Sequence, residues 1–528
     1  MPPDYPTRDD DPEAAPPHNA QKEYHRSETL ALSYLSLNNH QSSPSNTITT
    51  NNNTNKELHI APMLNYSTRE FRQLIRILSK RAVLWTEMVV DDTVQHVSNR
   101  EEHLGYDDNT HPIVCQIGGN SPDLCGAATS LVLEHYEYDE CNLNIDCPSE
   151  RVSGKREFGA ILMKKTELAK DILRKMQSNV TYTSNNSKAD DKSPSAKVSV
   201  KCRIGVDEWD DLEFAASFIR ALEPTCRRFY LHARKCVLDG LMNARQNRSI
   251  PPLNYPRVYD LCRMFPDCEF WINGGIRTLQ DAKRIAHGTT KRGAVEGTTA
   301  CCNRESLHRV PCQLCNAPYG SCIEPPTVAP ANLRGCMMGR AAVDDPCLFH
   351  DVDRYFYGEA SNPCKNRREV LVQYCDYLER LYPRRCCDSD ERITYEYPPP
   401  PGIINERDYC CICADVYGPV AAGETGLDGK GTSDWSGVAT LTTDKEDEVA
   451  CLEKKTIRGK PKPRIASRII GRCLKPVQGL FLGIPNSRVF RRVCDNLGQD
   501  ATIRNCGPGY ILRKAMMAVP SDILDKEF

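Results

Sequence analysis

Short apolar runs alternate with longer amphipathic segments through the middle of the chain. The run that begins at Leu58 stops at Pro62, and the run Val83–Val90 ends at two aspartates, as is typical of buried strands. Between them, Thr68–Lys80 carries its apolar residues three and four positions apart, which is the spacing of one helix face. The alternation continues to Phe356, so the pattern predicts parallel strands joined by helices.

Eight strands are predicted in this part of the chain. They cover 58–63, 83–90, 112–117, a short strand that begins near Asp139 and breaks at Asp146, 197–204, 228–232, 269–272 and 334–338. Their order and helix-sized separations predict an α/β fold, a (β/α)8 TIM barrel, which usually takes about 250 residues. Helices are also predicted at Phe158–Met176, Asn366–Leu381 and within Arg464–Leu474, and the last two indicate a small C-terminal α-helical domain.

Composition divides the chain further. Residues 1–56 are rich in Pro, Asn, Ser and Thr and are expected to be disordered. The barrel is predicted at 57–357, with loop expansions at 177–196 and 288–333. The helical domain is expected to combine 364–382 with 463–520, around a second segment expected to be disordered, 383–462.

The charges of the chain nearly balance, with a formal net charge of -2 at pH 7. Locally, however, Lys454–Val493 holds twelve Lys or Arg residues and no acid, an excess typical of an RNA-binding surface; a solvated basic helix face is the alternative. No apolar run approaches the ~20 residues of a membrane span, and the acidic start predicts neither a secretory signal nor a transit peptide. We expect a cytoplasmic protein without a membrane partner, and an organellar location stays open.

Cys147 lies where the fourth predicted strand breaks, just before Pro148. A thiol at the carboxyl end of a strand can donate a proton to a molecule bound above the sheet. A buried structural cysteine is the alternative, because the chain has 27 cysteines. Chemically suggestive residues also lie near other strand ends, the face where TIM barrels keep their active sites; with Cys147 they are Met63, Gln116, Lys201, His232, Asn273 and Gly339.

Two glycine-containing loops follow the last two predicted strands. Gly274-Gly275 and Gly339-Arg340 offer backbone N–H groups and one guanidinium to a phosphate, and turn glycines are the alternative for each loop alone. Lys201 lies in a predicted strand and needs a partner, either an electron-rich ring or a salt bridge.

One cysteine pair has the spacing of metal ligands. Cys312 and Cys315 are separated by two residues, but no regular second pair accompanies them. Free thiols in a loop are therefore the favoured interpretation, and no metal site is predicted.

Nine motifs occur in the order found in tRNA-dihydrouridine synthases, and they most resemble those of the bacterial A-type branch. The resemblance covers most of the predicted barrel and resumes near Leu474–Arg492. The motifs are His59–Met63, Thr86–Met88, Gln116–Gly119, Asn142–Ser149, Val200–Gly205, His232–Lys235, Ile250–Leu253, Ile272–Gly275 and Met338–Arg340.

The resemblance implies an FMN enzyme that uses NADPH to reduce the C5–C6 double bond of D-loop uridines in tRNA, at positions 20 and 20a for the A-type branch. It assigns the role of proton donor to Cys147. It assigns FMN contacts to Ala61, Pro62, Met63, Gln116, Lys201, His232, Asn273, Gly274, Gly275, Gly339 and Arg340. It assigns tRNA contacts to Asn144, Arg245, Arg248, Arg488 and Arg491.

Two other functions compete with this one. An FMN-dependent TIM-barrel oxidoreductase for a free small molecule would need the same phosphate loops but not the basic tail. A catalytically inactive RNA-binding protein is disfavoured by the intact Cys147 and the complete set of flavin contacts. We expect tRNA as the partner and a monomer without an obligatory protein partner.

Overall fold

The structure is a computed structural model that covers the predicted barrel and most of the predicted C-terminal helices. It describes residues 56–148, 157–180, 197–238, 243–288, 329–383, 467–485, 487–500 and 503–528. The segments expected to be disordered, 1–56 and 383–462, lie outside the described residues except at positions 56 and 383. Cys312 and Cys315 also lie outside them.

Eight parallel strands form one sheet in which sequence neighbours pair from β2 to β8, and β8 pairs with β1. The strands are β1 Glu57–Ile60, β2 Leu84–Val90, β3 Ile113–Gly118, β4 Glu140–Ile145, β5 Val198–Arg203, β6 Arg228–His232, β7 Glu269–Asn273 and β8 Leu333–Met338. Several, including β3, β4 and β5, are buried at every position, as expected for parallel strands covered on both faces.

The sheet closes between β1 and the residue that precedes β2. The Ile60 N–H donates to the Val83 carbonyl at 2.9 Å, and the Val83 N–H donates to the Leu58 carbonyl at 3.0 Å. With β8 on its other side, β1 therefore has partners at both edges, and the predicted (β/α)8 TIM barrel is confirmed.

The helices follow the strands in alternation. In the barrel they are α1 Arg69–Leu78, α2 Asp91–His96, α3 Glu101–Leu104, α4 Pro122–Ser130, α5 Thr166–Ser178, α6 Leu212–Leu222, α7 Tyr255–Met264, α8 Leu279–His287 and α9 Arg340–Asp344. Side chains before five of them accept an N–H of the first turn, which fixes where each helix begins; these caps are Thr68, Ser121, Asp211, Asn254 and Thr278.

The structure differs from the predicted helix Phe158–Met176. Gly159 has φ 74°, and the residues Gly159–Met163 form a 3₁₀ turn, so α5 begins only at Thr166. Most apolar residues of the turn are buried, which is why they imitate a helix face in the sequence. At its other end α5 continues to Ser178, two residues into the predicted loop expansion.

Aromatic rings fill the barrel around the middle of the strands. Tyr230 stacks on Trp271 with ring centroids 4.6 Å apart and meets Trp85 edge-on at 4.7 Å. The Trp85 indole N–H donates to His59 at 3.0 Å, so the rings form a fixed interior layer. Met63 packs against this layer. The interior beneath the strand ends is therefore solid.

The C-terminal helical region packs against the barrel through α1. Its helices are α10 Arg367–Leu381, α11 Ser467–Leu474, α12 Ser487–Gln499, α13 Gly507–Met517 and α14 Ser521–Leu524. The Tyr374 hydroxyl donates to the Cys473 carbonyl at 2.9 Å, which ties α10 to α11 across the segment between them. Among the described residues, no helix is both long and apolar enough to cross a bilayer. The division of the chain into domains stays a prediction.

Glu70 links the two regions from inside α1. Its carboxylate is fully buried and accepts the Arg472 guanidinium of α11 at 3.0 Å. The Tyr382 hydroxyl, just after α10, bonds to the same carboxylate. This buried contact fixes how the helical region is seated on the barrel.

Candidate functional site

The residues that the sequence assigns to a barrel site lie at the carboxyl ends of the strands. Gln116, Asn144 and Lys201 lie within β3, β4 and β5, and His232 and Asn273 end β6 and β7. The others lie in the loops that follow β1, β4, β6, β7 and β8: Ala61, Pro62, Met63, Cys147, Arg245, Arg248, Gly274, Gly275 and Gly339, with Arg340 starting α9. Arg488 and Arg491 lie apart from this group, on α12 of the C-terminal helical region.

Three amide side chains form a hydrogen-bonded row across β3 and β4. Asn144 Nδ2 donates to Gln116 Oε1 at 2.9 Å, and Gln116 Nε2 donates to Asn142 Oδ1 at 2.9 Å. Asn142 Nδ2 then donates to Ser199 Oγ on β5 at 2.7 Å. Each amide satisfies its neighbour, so the row holds Gln116 and Asn144 in one orientation.

Asn144 also shapes the loop that carries Cys147. Its Oδ1 accepts the Cys147 N–H at 3.1 Å and the Asp146 N–H at 3.4 Å. This is the side-chain turn that Asn forms with the backbone two and three residues on, and Pro148 then prevents the strand from continuing. The loop thus leads away from the sheet at Cys147.

Cys147 differs in burial from most other cysteines of the described residues. It is half-buried, whereas all the others except Cys347 are buried. Burial raises the pKa of neighbouring structural thiols, such as Cys202 and Cys236, well above the usual value for cysteine. Partial exposure at a strand end therefore distinguishes Cys147 from the buried cysteines of the described residues.

Asp146 gathers the buried charges of the site. Its Oδ1 lies 2.5 Å from Arg203 Nε and 3.2 Å from His232 Nδ1, and its Oδ2 pairs with the Lys201 ammonium. Burial alone would raise the pKa of Asp146, but the charges of Lys201 and Arg203 outweigh burial and hold this pKa well below its usual range. The carboxylate is therefore ionised at neutral pH.

His232 is uncharged in this setting. Burial and the neighbouring Arg203 charge lower the pKa of His232 to about 3. The imidazole therefore acts as a neutral hydrogen-bonding group at neutral pH. Asp146 and Arg203 were not identified from the sequence as site residues; a charged residue at the break of the fourth strand is the signal that could have found Asp146.

Backbone conformation at the end of β7 requires glycine. Gly274 has φ +118°, and a Cβ there would approach His232 Cδ2 and Leu253 Cδ2 to 2.8 Å. Gly275 also has positive φ, at 71°. The Tyr255 hydroxyl donates to the Gly274 carbonyl at 2.6 Å and holds this turn in place. The backbone conformation of this turn and its close neighbours therefore require glycine at position 274.

The ends of β1 and β8 lie side by side. The Ala61 N–H donates to the Met338 carbonyl at 2.7 Å, and a Cβ on Gly339 would make only ordinary contacts with Ala61 Cβ at 3.5 Å and Met63 Sδ at 3.7 Å. On β7, Asn273 Nδ2 donates to the Met337 carbonyl at 2.9 Å. These contacts bring the loops after β1, β7 and β8 to one corner of the barrel mouth.

Arginines surround this corner. Arg340 donates to the Arg248 carbonyl at 3.2 Å, and Arg203 donates to the Asn247 carbonyl at 3.0 Å. Burial lowers the pKa of Arg340, and the next contributions are the like charges of Arg277 and Arg248. Cations that repel one another in this way favour a bound anion. Arg277 belongs to this cluster, although the sequence analysis did not identify it as a site residue.

The donor set fits a phosphorylated flavin. A phosphate can be bound by the glycine backbone at the ends of β7 and β8 and by the arginines around this corner. The polar edge of a flavin ring can be bound by the buried Lys201 and by the hydrogen-bonded amide side chains. Among the residues that the structure describes, no group of His, Cys, Asp or Glu is arranged to hold a metal ion.

Comparison with known proteins gives one consistent result. The family model for dihydrouridine synthase matches residues 59–305. The chain is 33% identical over 325 residues to a tRNA-dihydrouridine(20/20a) synthase of Vibrio cholerae, covering 61% of this chain and 80% of that protein. It is 39% identical over 243 residues to the protein of the same name from Escherichia coli, covering 46% of this chain and 64% of that protein. The chain therefore belongs to the dihydrouridine synthase family.

Proposed function

We propose that this protein is a tRNA-dihydrouridine synthase that reduces the C5–C6 double bond of uridine, with FMN as bound cofactor and NADPH as reductant. The observation that carries the proposal is the placement of Cys147, half-buried on the loop after β4, beside the polar and charged residues of the barrel mouth. Relatives named tRNA-dihydrouridine(20/20a) synthase support uridines 20 and 20a as the targets.

Different residues of the barrel mouth would contact different parts of the cofactor. Gly274, Gly275, Gly339 and Arg340 would hold the phosphate, and Ala61, Pro62 and Met63 would lie against the ring system. Gln116, Lys201, His232 and Asn273 would present polar groups to its edge. When bound, FMN supplies the hydride that is delivered to C6 of the uracil and that originates from NADPH.

Cys147 would supply the proton that completes the reduction. A cysteine thiol can act as the general acid in such a step. As hydride adds to C6, negative charge develops at C5 and O4, and transfer of the thiol proton to C5 completes the saturated ring. The fixed Asn144 lies beside this loop and would contact the same base.

The tRNA would meet exposed cations on both parts of the molecule. Arg245 and Arg248 are exposed at the barrel mouth, and Arg488 and Arg491 are exposed on α12. Guanidinium groups bind phosphates of the RNA backbone without reading its sequence. Because the target base is part of a folded RNA, it would have to leave its stack to reach the mouth.

Reconstitution tests this function. The purified protein is incubated with NADPH and with tRNA lacking dihydrouridine, and the modified nucleoside is measured and mapped by mass spectrometry. We expect dihydrouridine in the D-loop, dependent on NADPH and on the flavin. Reduction of free uracil or uridine at a comparable rate, with tRNA left unmodified, would favour a small-molecule oxidoreductase instead.

A further inference from the structure

Asp146 occupies a central place among the buried charges but has no role in the reaction proposed above. Its side chain is 17% exposed, while those of Lys201, Arg203 and His232 are 3%, 1% and 8% exposed. All three of these side chains converge on its two carboxylate oxygens. In such a dry environment, the loss of one charge is poorly compensated by solvent.

The charges of this group do not cancel. With His232 neutral, the two cations Lys201 and Arg203 share one carboxylate, which leaves one net positive charge. Without Asp146 the same volume would hold two unpaired cations. Asp146 therefore decides how much positive charge is present around Lys201.

We propose that Asp146 is a positioning residue that sets the charge that Lys201 presents to the bound flavin, and thereby lowers the midpoint potential of that flavin. The inference rests on the proposed FMN-dependent function. A cation near a flavin favours its anionic reduced form, so a carboxylate paired with that cation weakens the effect. The flavin is then a stronger hydride donor towards the uracil ring.

The alternative for Asp146 is a purely structural role in the loop that carries Cys147. That role would make Asp146 important for folding and for FMN content. It would not connect the carboxylate charge to the redox equilibrium of the flavin. The midpoint potential of the bound flavin therefore separates the two roles.

The experiment measures the midpoint potential of the FMN-loaded enzyme, without tRNA, against a reference dye. In Asp146→Asn we expect the ratio of reduced to oxidised flavin at a fixed potential to rise about tenfold, a shift of about 30 mV upward for a two-electron couple. Asp146→Glu, which keeps the charge, should stay near the wild-type potential. An unchanged potential in Asp146→Asn with FMN bound would overturn the inference.

Asp210→Asn is a matched control. Asp210 also pairs with two cations near the strand ends, Arg257 at 2.5 Å and Lys235 at 3.3 Å, but it contacts neither Lys201 nor His232. Its loss should leave the potential unchanged, and an equal shift in this variant would contradict a specific effect through Lys201. A wild-type protein that binds no flavin would instead refute the proposed function itself.

A second variant covers the case in which Asp146→Asn loses its FMN. Adding Arg203→Gln removes one buried cation together with the anion and restores the original net charge. We expect this double variant to retain more FMN after purification than Asp146→Asn alone. Equal or lower FMN content would contradict the charge-based role.

Discussion

Asn144 Oδ1 accepts the Cys147 N–H at 3.1 Å, and through this contact the amide row of the barrel interior positions the loop that carries the thiol. The same side chain donates from Nδ2 to Gln116 at 2.9 Å. One residue therefore couples the proposed cofactor-binding side of β3 to the proposed proton donor after β4. Proton transfer depends steeply on such placement, so this coupling is a direct target for mutation.

Asn144→Ala should slow dihydrouridine formation by one to two orders of magnitude while FMN stays bound, because the Cys147 loop loses its side-chain turn. Single-turnover rates on tRNA, measured with flavin content in parallel, test this. Ser130→Ala is a suitable control, because Ser130 Oγ donates to the exposed Glu134 at 2.8 Å, away from the barrel mouth. An Asn144→Ala rate equal to the wild-type rate would show that the turn does not matter for the reaction.

The buried His232 predicts a pH dependence of stability. Its pKa is about 3 in the folded protein and about 6.5 in an unfolded chain, so below pH 6.5 the unfolded chain binds a proton that the folded protein does not. The free energy of unfolding should therefore fall with decreasing pH, by up to about 1.4 kcal/mol per pH unit from this group.

The difference between the wild type and His232→Gln isolates that contribution between pH 4 and 6.5. Thermal unfolding across this range should show a shallower loss of stability in the variant. Asp146 does not confuse the comparison, because its pKa is held well below the usual range for aspartate and its stabilising charge is lost only at lower pH. Parallel curves for the two proteins would mean that His232 is not held neutral.

Glu70→Gln should destabilise the contact between the C-terminal helical region and the barrel. The substitution removes the buried carboxylate that binds Arg472. Because Arg472 is 26% exposed and also lies 3.8 Å from Glu102, the expected cost is about 1–3 kcal/mol, below that of a fully buried pair. Thermal unfolding measures the loss. The control is Arg468→Gln, which removes the ion pair between Arg468 and Glu102. The Arg468 side chain is 77% exposed, so its loss should change stability by about 0.5 kcal/mol or less. Equal effects of the two substitutions would argue against a buried link.

Reversing the charges at Arg488 and Arg491 should weaken tRNA binding about tenfold or more and reduce its dependence on salt, because two phosphate contacts are lost. NADPH oxidation by the enzyme without tRNA should not change. The matched control reverses Lys170 and Arg174 on α5, an equal change in net charge on another surface helix. Equal loss of binding in both double variants would indicate a general charge effect and not a contact through α12.

Much of the fold follows from local patterns in the chain. The buried runs and their helix-sized separations predict eight strands because parallel strands covered on both faces are continuously apolar. The turn at Gly159 is missed because its buried residues imitate a helix face while its positive φ leaves no trace in the pattern.

The arrangement of the site residues is harder to predict from the sequence than the strands and helices are. Asp146, Lys201, Arg203 and His232 come from three strands and their loops, and their mutual distances depend on the register of β4, β5 and β6. No local pattern encodes that convergence. Motif resemblance assigned expected roles to Lys201 and His232, but the carboxylate that joins them became evident only in three dimensions.

The most direct test of the account is dihydrouridine formation by Cys147→Ala on tRNA, measured under single-turnover conditions together with FMN content. Removal of a proton donor should reduce the rate at least about 100-fold, while FMN stays bound and NADPH still reduces it. Cys347→Ala, at the other half-buried cysteine of the described residues, should leave the rate unchanged. A Cys147→Ala enzyme that forms dihydrouridine at nearly the wild-type rate would contradict the role assigned to the thiol.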